Sequence, residues 1–217
     1  MADSILQWLS GEGWLVFSGA DGRHPHTSAI RSQALARASS DGIVAYLSLA
    51  EDKGDALMDD MEDLGAPTGY LVDLEQESPA SITEDLKEAS VIVIETGDSL
   101  ERLAYALQGE ALSAIRQRYE DGALILVEGL ATHLFGAWSV GDDGMLFDAL
   151  GWVRNAFIVP AATSSEEAPF AQEVLISHPH ALAIEIGAGS ALALGAGGVI
   201  ETWGKRQVTV SLGSGYA

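Results

Sequence analysis

Arg118-Tyr119-Glu120-Asp121-Gly122-Ala123-Leu124-Ile125-Leu126-Val127-Glu128-Gly129-Leu130-Ala131-Thr132-His133-Leu134-Phe135-Gly136 holds an uninterrupted apolar run, Ala123 to Val127, that no other in this 217-residue chain exceeds. Such a run, five residues long, preceded by turn-forming Gly122 and followed by Glu128 and Gly129, reads as a strand buried on both faces. Runs of the same kind lie upstream at Trp14 to Phe17, Ile43 to Leu47, Tyr70 to Val72 and Val91 to Ile94. Between them, Thr27 to Ser39, Asp55 to Leu64 and Ile82 to Ala89 have helical spacing, with Leu57, Met61 and Leu64 on one face and Asp59, Asp60, Glu62 and Asp63 on the other. This alternation predicts an α/β protein whose mostly parallel sheet is covered by helices on both faces, a three-layer α/β/α arrangement. Downstream, Leu182 to Ile186, Ala191 to Leu194, Val199 to Trp203 and Val208 to Leu212, separated by Gly-rich turns, predict a C-terminal antiparallel meander attached to that sheet. No internal repeat or linker divides the chain, so residues 1–217 are expected to form one domain.

The charge excludes several functions. With 32 Asp and Glu against 11 Lys and Arg, the formal charge is −21. Such a surface repels nucleic acid and anionic membranes, and neither is expected as a partner. The apolar runs fall far short of the roughly 20 residues a membrane-spanning helix needs. The first residues, Met1 to Trp14, carry acidic side chains where a secretory signal is basic, so the expected location is the cytoplasm. The absence of cysteine removes thiol catalysis and every cysteine-ligated metal site. Only Lys53, Lys87 and Lys205 are lysines, and the acidity reads as a surface bias of the kind that accompanies salt or heat adaptation.

In open parallel sheets the ligand site lies beyond the carboxyl ends of the strands. Three such ends stand out: Ser18-Gly19-Ala20-Asp21-Gly22, Glu95-Thr96-Gly97-Asp98-Ser99 and Glu128-Gly129-Leu130-Ala131-Thr132-His133. The stretch from Arg118 to Gly136 resembles the cyanophycinase and dipeptidase E group of serine peptidases, whose fifth strand starts at a glycine and ends in Gly-x-Ser-Ala-Gly-Ala. Counted without gaps from Gly122, Val127 falls at the first glycine of that motif, Gly129 at the serine, Leu130 at the alanine and Ala131 at the second glycine. A one-residue shift would place Leu130 at the serine instead.

The resemblance runs through nearly the whole chain. Tyr46 to Ala50 resembles the family's second strand and turn, and Leu64-Gly65-Ala66 its habitual Leu-Gly-Ala. Gly97 and Asp98 match part of a Gly-Gly-Asn/Asp turn that, in the family, helps form the oxyanion hole. Phe147 to Gly151 leads into Phe157 to Ala161, where the family's catalytic histidine follows a strand, and here Ala161 stands at that place. His178-Pro179, Leu182 to Ile186 and Ser190-Ala191-Leu192 resemble the family's Gly-Ile-Gly-Ile-Asp-Glu-x-Thr-Ala-Leu, with Gly187 and Ala188 in place of its acidic pair. The resemblance implies a flavodoxin-like, class I glutamine-amidotransferase-like sheet. It also implies an elbow that presents the nucleophile above it. A true amidotransferase would need a nucleophilic cysteine.

Serine hydrolysis requires a hydroxyl, a base within about 3 Å and oxyanion donors. Gly129 and Ala161 supply neither of the first two, so the resemblance implies a pseudoenzyme that binds an unknown small ligand or protein. No cofactor or metal is implied. Gly97, Asp98, Glu128, Gly129, Leu130, Thr132 and His133 are the candidate cleft residues. The alternative is a hydrolase with relocated chemistry, in which Thr132 or His133 works with Glu128 or Asp98. A homodimer closing on the exposed edge of the meander is a third possibility.

Other residues have simpler readings. Asp142 and Asp143 stand near the place of the family's triad acid but read as a solvated turn. His24-Pro25-His26 and His178-Pro179-His180 have a spacing that can bind metal in extended chain, a weak signal. Gly19 and Gly22 lack a phosphate-loop pattern around them, and Trp8, Trp14, Trp138, Trp152 and Trp203 read as core or interface anchors.

Overall fold

A computed structural model describes residues 5–20, 25–39, 42–49, 51–67, 69–95 and 99–216, with the side chains of 51–53 excepted. The first half alternates as its apolar spacing requires: β1 (Trp14–Ser18), α1 (Thr27–Arg37), β2 (Ile43–Ser48), α2 (Glu51–Asp63), β3 (Tyr70–Asp73), α3 (Pro79–Leu86) and β4 (Ala89–Glu95). Helices α4 (Leu100–Ala106) and α5 (Glu110–Glu120) precede β5 (Leu124–Glu128). Serines start two of these helices: Ser78 and Ser99 accept hydrogen bonds from the Ser81 and Arg102 backbone N–H groups. After β5 come a 3₁₀ turn (Gly129–Phe135), β6 (Trp138–Val140), β7 (Leu146–Asp148), β8 (Ala156–Pro160), α6 (Pro169–Ser177) and β9 (Leu182–Ile186). The described chain ends with β10 (Ser190–Gly195), β11 (Val199–Gly204) and β12 (Val208–Leu212).

The main sheet has the order β11-β10-β1-β5-β4-β2-β3, and its five strands from β1 to β3 are parallel, as the alternation predicts. Val16, Val44, Val91, Val93 and Leu126 face α1 and α2, whereas Phe17, Ile92, Ile125 and Val127 face the helices of the opposite layer.

The four C-terminal strands differ from a simple meander. Strands β10 and β11 join the main sheet as an antiparallel hairpin, turning through Gly197 and Gly198 at positive φ. Strands β9 and β12 belong to a second sheet, β12-β9-β8-β6-β7, in which β9 runs parallel to β8. The reason is double-sided burial: Leu182, Ile184 and Ile186 pack into the core shared with α3 to α5, while Ala183 packs under α6 with Phe157 and Val174. The edge strands β11 and β12 leave Val199, Ile200, Val210 and Leu212 exposed. Among the described residues no helix is long and apolar enough to cross a membrane.

Candidate functional site

Strand β5 lies between β1 and β4, with Glu128 in register with Ser18 and Glu95, so its carboxyl end opens near the middle of the parallel sheet. The chain breaks out of the strand at Gly129, whose φ of 56° lies in the left-handed region that favours glycine. The turn that follows buries Ala131, Thr132, Leu134 and Phe135, and Phe135 packs against Phe17 and Trp152. Leu130 is 60% exposed at the crest, and His133 is half-buried. The Thr132 hydroxyl is buried and donates to the Gly129 carbonyl at 2.8 Å, which ties the turn to itself.

Glu128, fully buried, shares the sheet face of Leu124 and Leu126, beneath α1. Its carboxylate takes two hydrogen bonds from buried Arg31, Nε at 3.0 Å and Nη2 at 2.6 Å. Arg31 Nη1 also donates to Asp60 of α2 at 2.6 Å. Burial works to lower the Arg31 pKa, but the hydrogen bonds and charges of Glu128 and Asp60 outweigh it and hold the guanidinium charged.

His133 faces the other way. Its ring lies 5.4 Å from that of Phe157 on β8, and Nδ1 is buried without a hydrogen-bond partner. Desolvation pushes its pKa down to about 4. The ring lines a cavity of about 430 Å³ bounded by Leu130, Phe157, Val159, Ala161 and Phe170, with Asp142 and Glu167 also in its wall. Ala161 follows Pro160 at the end of β8 and holds φ at 59°, an uncommon conformation for a residue with a side chain.

Leu130, His133 and Ala161 share the cavity wall. Glu128, Thr132 and His133 do not form a relay: Glu128 is bound to Arg31 on the α1 side, Thr132 to Gly129, and His133 Nδ1 to nothing. Gly97 and Asp98 lie outside the described residues, as do Gly22 and His24. Asp142 accepts from Ser99 Oγ at 2.7 Å and Asp143 from the Met145 N–H, and both sit in the turn Gly141–Gly144, which is the solvated-turn reading. His178 stacks on Trp138, and His180 packs edge-on against Tyr216.

Among the described residues, two buried charged groups were outside the sequence candidates. Arg31 carries a signal in retrospect, a charged residue inside the apolar stripe of Ile30 and Ala34. Glu185 on β9 is fully buried, with Oε2 3.4 Å from the Ser211 hydroxyl and Oε1 without a partner. Burial raises its pKa, so the folded chain holds this proton more tightly than the unfolded one. The stability it supports is complete below the unfolded carboxylate pKa and is lost as pH rises through the folded one. Glu185→Gln is therefore expected to be neutral near pH 4 and stabilising by about 1 kcal/mol at pH 8. Paired thermal melts across that range check this, and equal melting differences at both ends would contradict it.

No protein-family model and no curated protein matches the chain. Solved structures do. A peptidase from an acI-B1 Actinobacterium superposes with a TM-score of 0.74 at 16% identity, covering 94% of this chain and 93% of that one. A peptidase E-like protein from Listeria monocytogenes EGD-e superposes with a TM-score of 0.65 at 15% identity, over 88% of this chain and 98% of its own. The chain thus has the mixed α/β fold of peptidase E-like structures.

Proposed function

We propose that this chain is a peptidase-fold protein that acts by binding at the cavity beside the β5 turn and does not hydrolyse peptides. The observation that carries the reading is the turn itself: the chain leaves β5 through a residue at left-handed φ, at the place the family resemblance gives to the nucleophile, and that residue, Gly129, has no side chain. Its neighbours do not replace the missing chemistry. Thr132 is buried with its hydroxyl committed to Gly129, and Ala161 presents a methyl group. His133, whose pKa is pushed down to about 4, is a poor base at neutral pH and lacks an orienting carboxylate at Nδ1.

Incubation of the purified protein with a reactive fluorophosphonate, followed by intact-mass measurement, tests the reading. An unchanged mass is expected, together with no turnover of Asp-X dipeptides or β-aspartyl-arginine. A time-dependent adduct or hydrolysis above the buffer rate would overturn it.

A further inference from the structure

The cavity beside the β5 turn has a chemical bias. Its walls are Leu130, Phe157, Val159 and Phe170 with the His133 ring, and its volume of about 430 Å³ falls in the range of sites for small organic molecules. Among the described residues no lysine or arginine lines it, whereas Asp142 and Glu167, both exposed, stand at its wall. Glu167 accepts from the Thr163 N–H at 2.7 Å and its hydroxyl at 2.9 Å, and these bonds hold its pKa below the usual carboxylate range. Asp142 is bound to Ser99, and its own N–H donates to Glu101, which brings a third carboxylate to the same turn. His133, neutral at physiological pH, contributes a buried Nδ1 without a partner and no positive charge.

Resting on the binding role above, we infer that the cavity takes a small organic cation with an apolar, ring-sized body and rejects carboxylate ligands. Phe157 and Phe170 both line this space, and an aromatic ring there packs against an apolar body and attracts a cation that comes to its face. An anion entering the same space meets Asp142 and Glu167 without a compensating cation, in a chain whose formal charge is −21. A substrate led by an aspartyl carboxylate is therefore poorly matched to this pocket.

Three probes of one shape and different charge test this: 2-phenylethylamine, 2-phenylethanol and phenylacetate, titrated by calorimetry, with nuclear Overhauser contacts to the Phe157 and Phe170 rings locating the site. The expected order is amine, then alcohol, then acid, with the amine at least about tenfold tighter than the acid at low salt. In 1 M salt, where screening acts over about 3 Å, that preference should shrink to about two- to threefold. Asp142→Asn with Glu167→Gln should bring the amine down to the alcohol's affinity, with a thermal melt as cooperative as the parent's showing that the variant is folded. Equal affinities for the three probes within the cavity would overturn the charge selection and leave the binding role standing. No binding of any probe would overturn both. A fluorophosphonate adduct would refute only the loss of hydrolysis.

Discussion

Arg31→Met is expected to lower the unfolding free energy by about 3–5 kcal/mol, the cost of removing one member of a buried ion pair. Arg31 is 2% exposed and Glu128 fully buried, so the variant leaves Glu128 with no guanidinium and little access to water. Asp60 is 38% exposed and can be rehydrated, so the cost falls on Glu128. Pairing the substitution with Glu128→Leu should recover most of the loss, because both charges then disappear together. The bidentate pair of Arg102 and Glu75 is the control: it has the same geometry, but its side chains are 55% and 33% exposed. Arg102→Met should cost about 1 kcal/mol or less. Urea titrations with unchanged slopes read these differences as shifts in midpoint. Similar costs at Arg31 and Arg102 would contradict the account, and so would a double variant no better than Arg31→Met.

Much of this fold is legible in the sequence because parallel strands sealed on both faces must be apolar throughout. The runs at Trp14 to Phe17, Ile43 to Leu47 and Ala123 to Val127 coincide closely with β1, β2 and β5. What a buried run does not reveal is its neighbour. Leu182 to Ile186 has the same pattern whether it pairs with β10 or, as it does, with β8 and β12. Helix α6 was hidden for another reason: it buries Ala171 and Val174 but leaves Phe170 at 36% and Ile176 at 80% exposure, so its apolar residues do not define one face. In α5, by contrast, Ala111, Ile115 and Tyr119 bury one stripe at helical spacing, a readable signal absent from the expected elements. At the site, the bend at Gly129 is what the family resemblance implies for the end of this strand, whereas the partnership of Arg31 and Glu128 spans 97 residues and leaves only a misplaced charge as its trace.

The second large effect expected is acid sensitivity centred on His133. Burial moves its pKa from the ordinary 6.5 to about 4, so the folded chain keeps the ring neutral over a pH interval in which the unfolded chain protonates it. Stability from this residue is complete above pH 6.5 and falls as the solution is acidified towards pH 4, by up to about 3 kcal/mol at about 1.4 kcal/mol per unit. Carboxylates titrate in the same interval, and neutralising a chain of charge −21 relieves self-repulsion, so the raw stability curve mixes opposing trends. Comparison with His133→Phe isolates the histidine, since a phenyl ring keeps an aromatic contact with Phe157 and cannot titrate. The stability of the variant minus that of the parent should grow steadily from pH 7 to pH 4. The imidazole carbon shifts of His133 should titrate with a midpoint near 4. A midpoint near 6.5, or a difference flat with pH, would mean that the ring is solvated when folded. The cavity wall would then carry a positive charge under mildly acidic conditions, and its expected preference for cations would weaken with it.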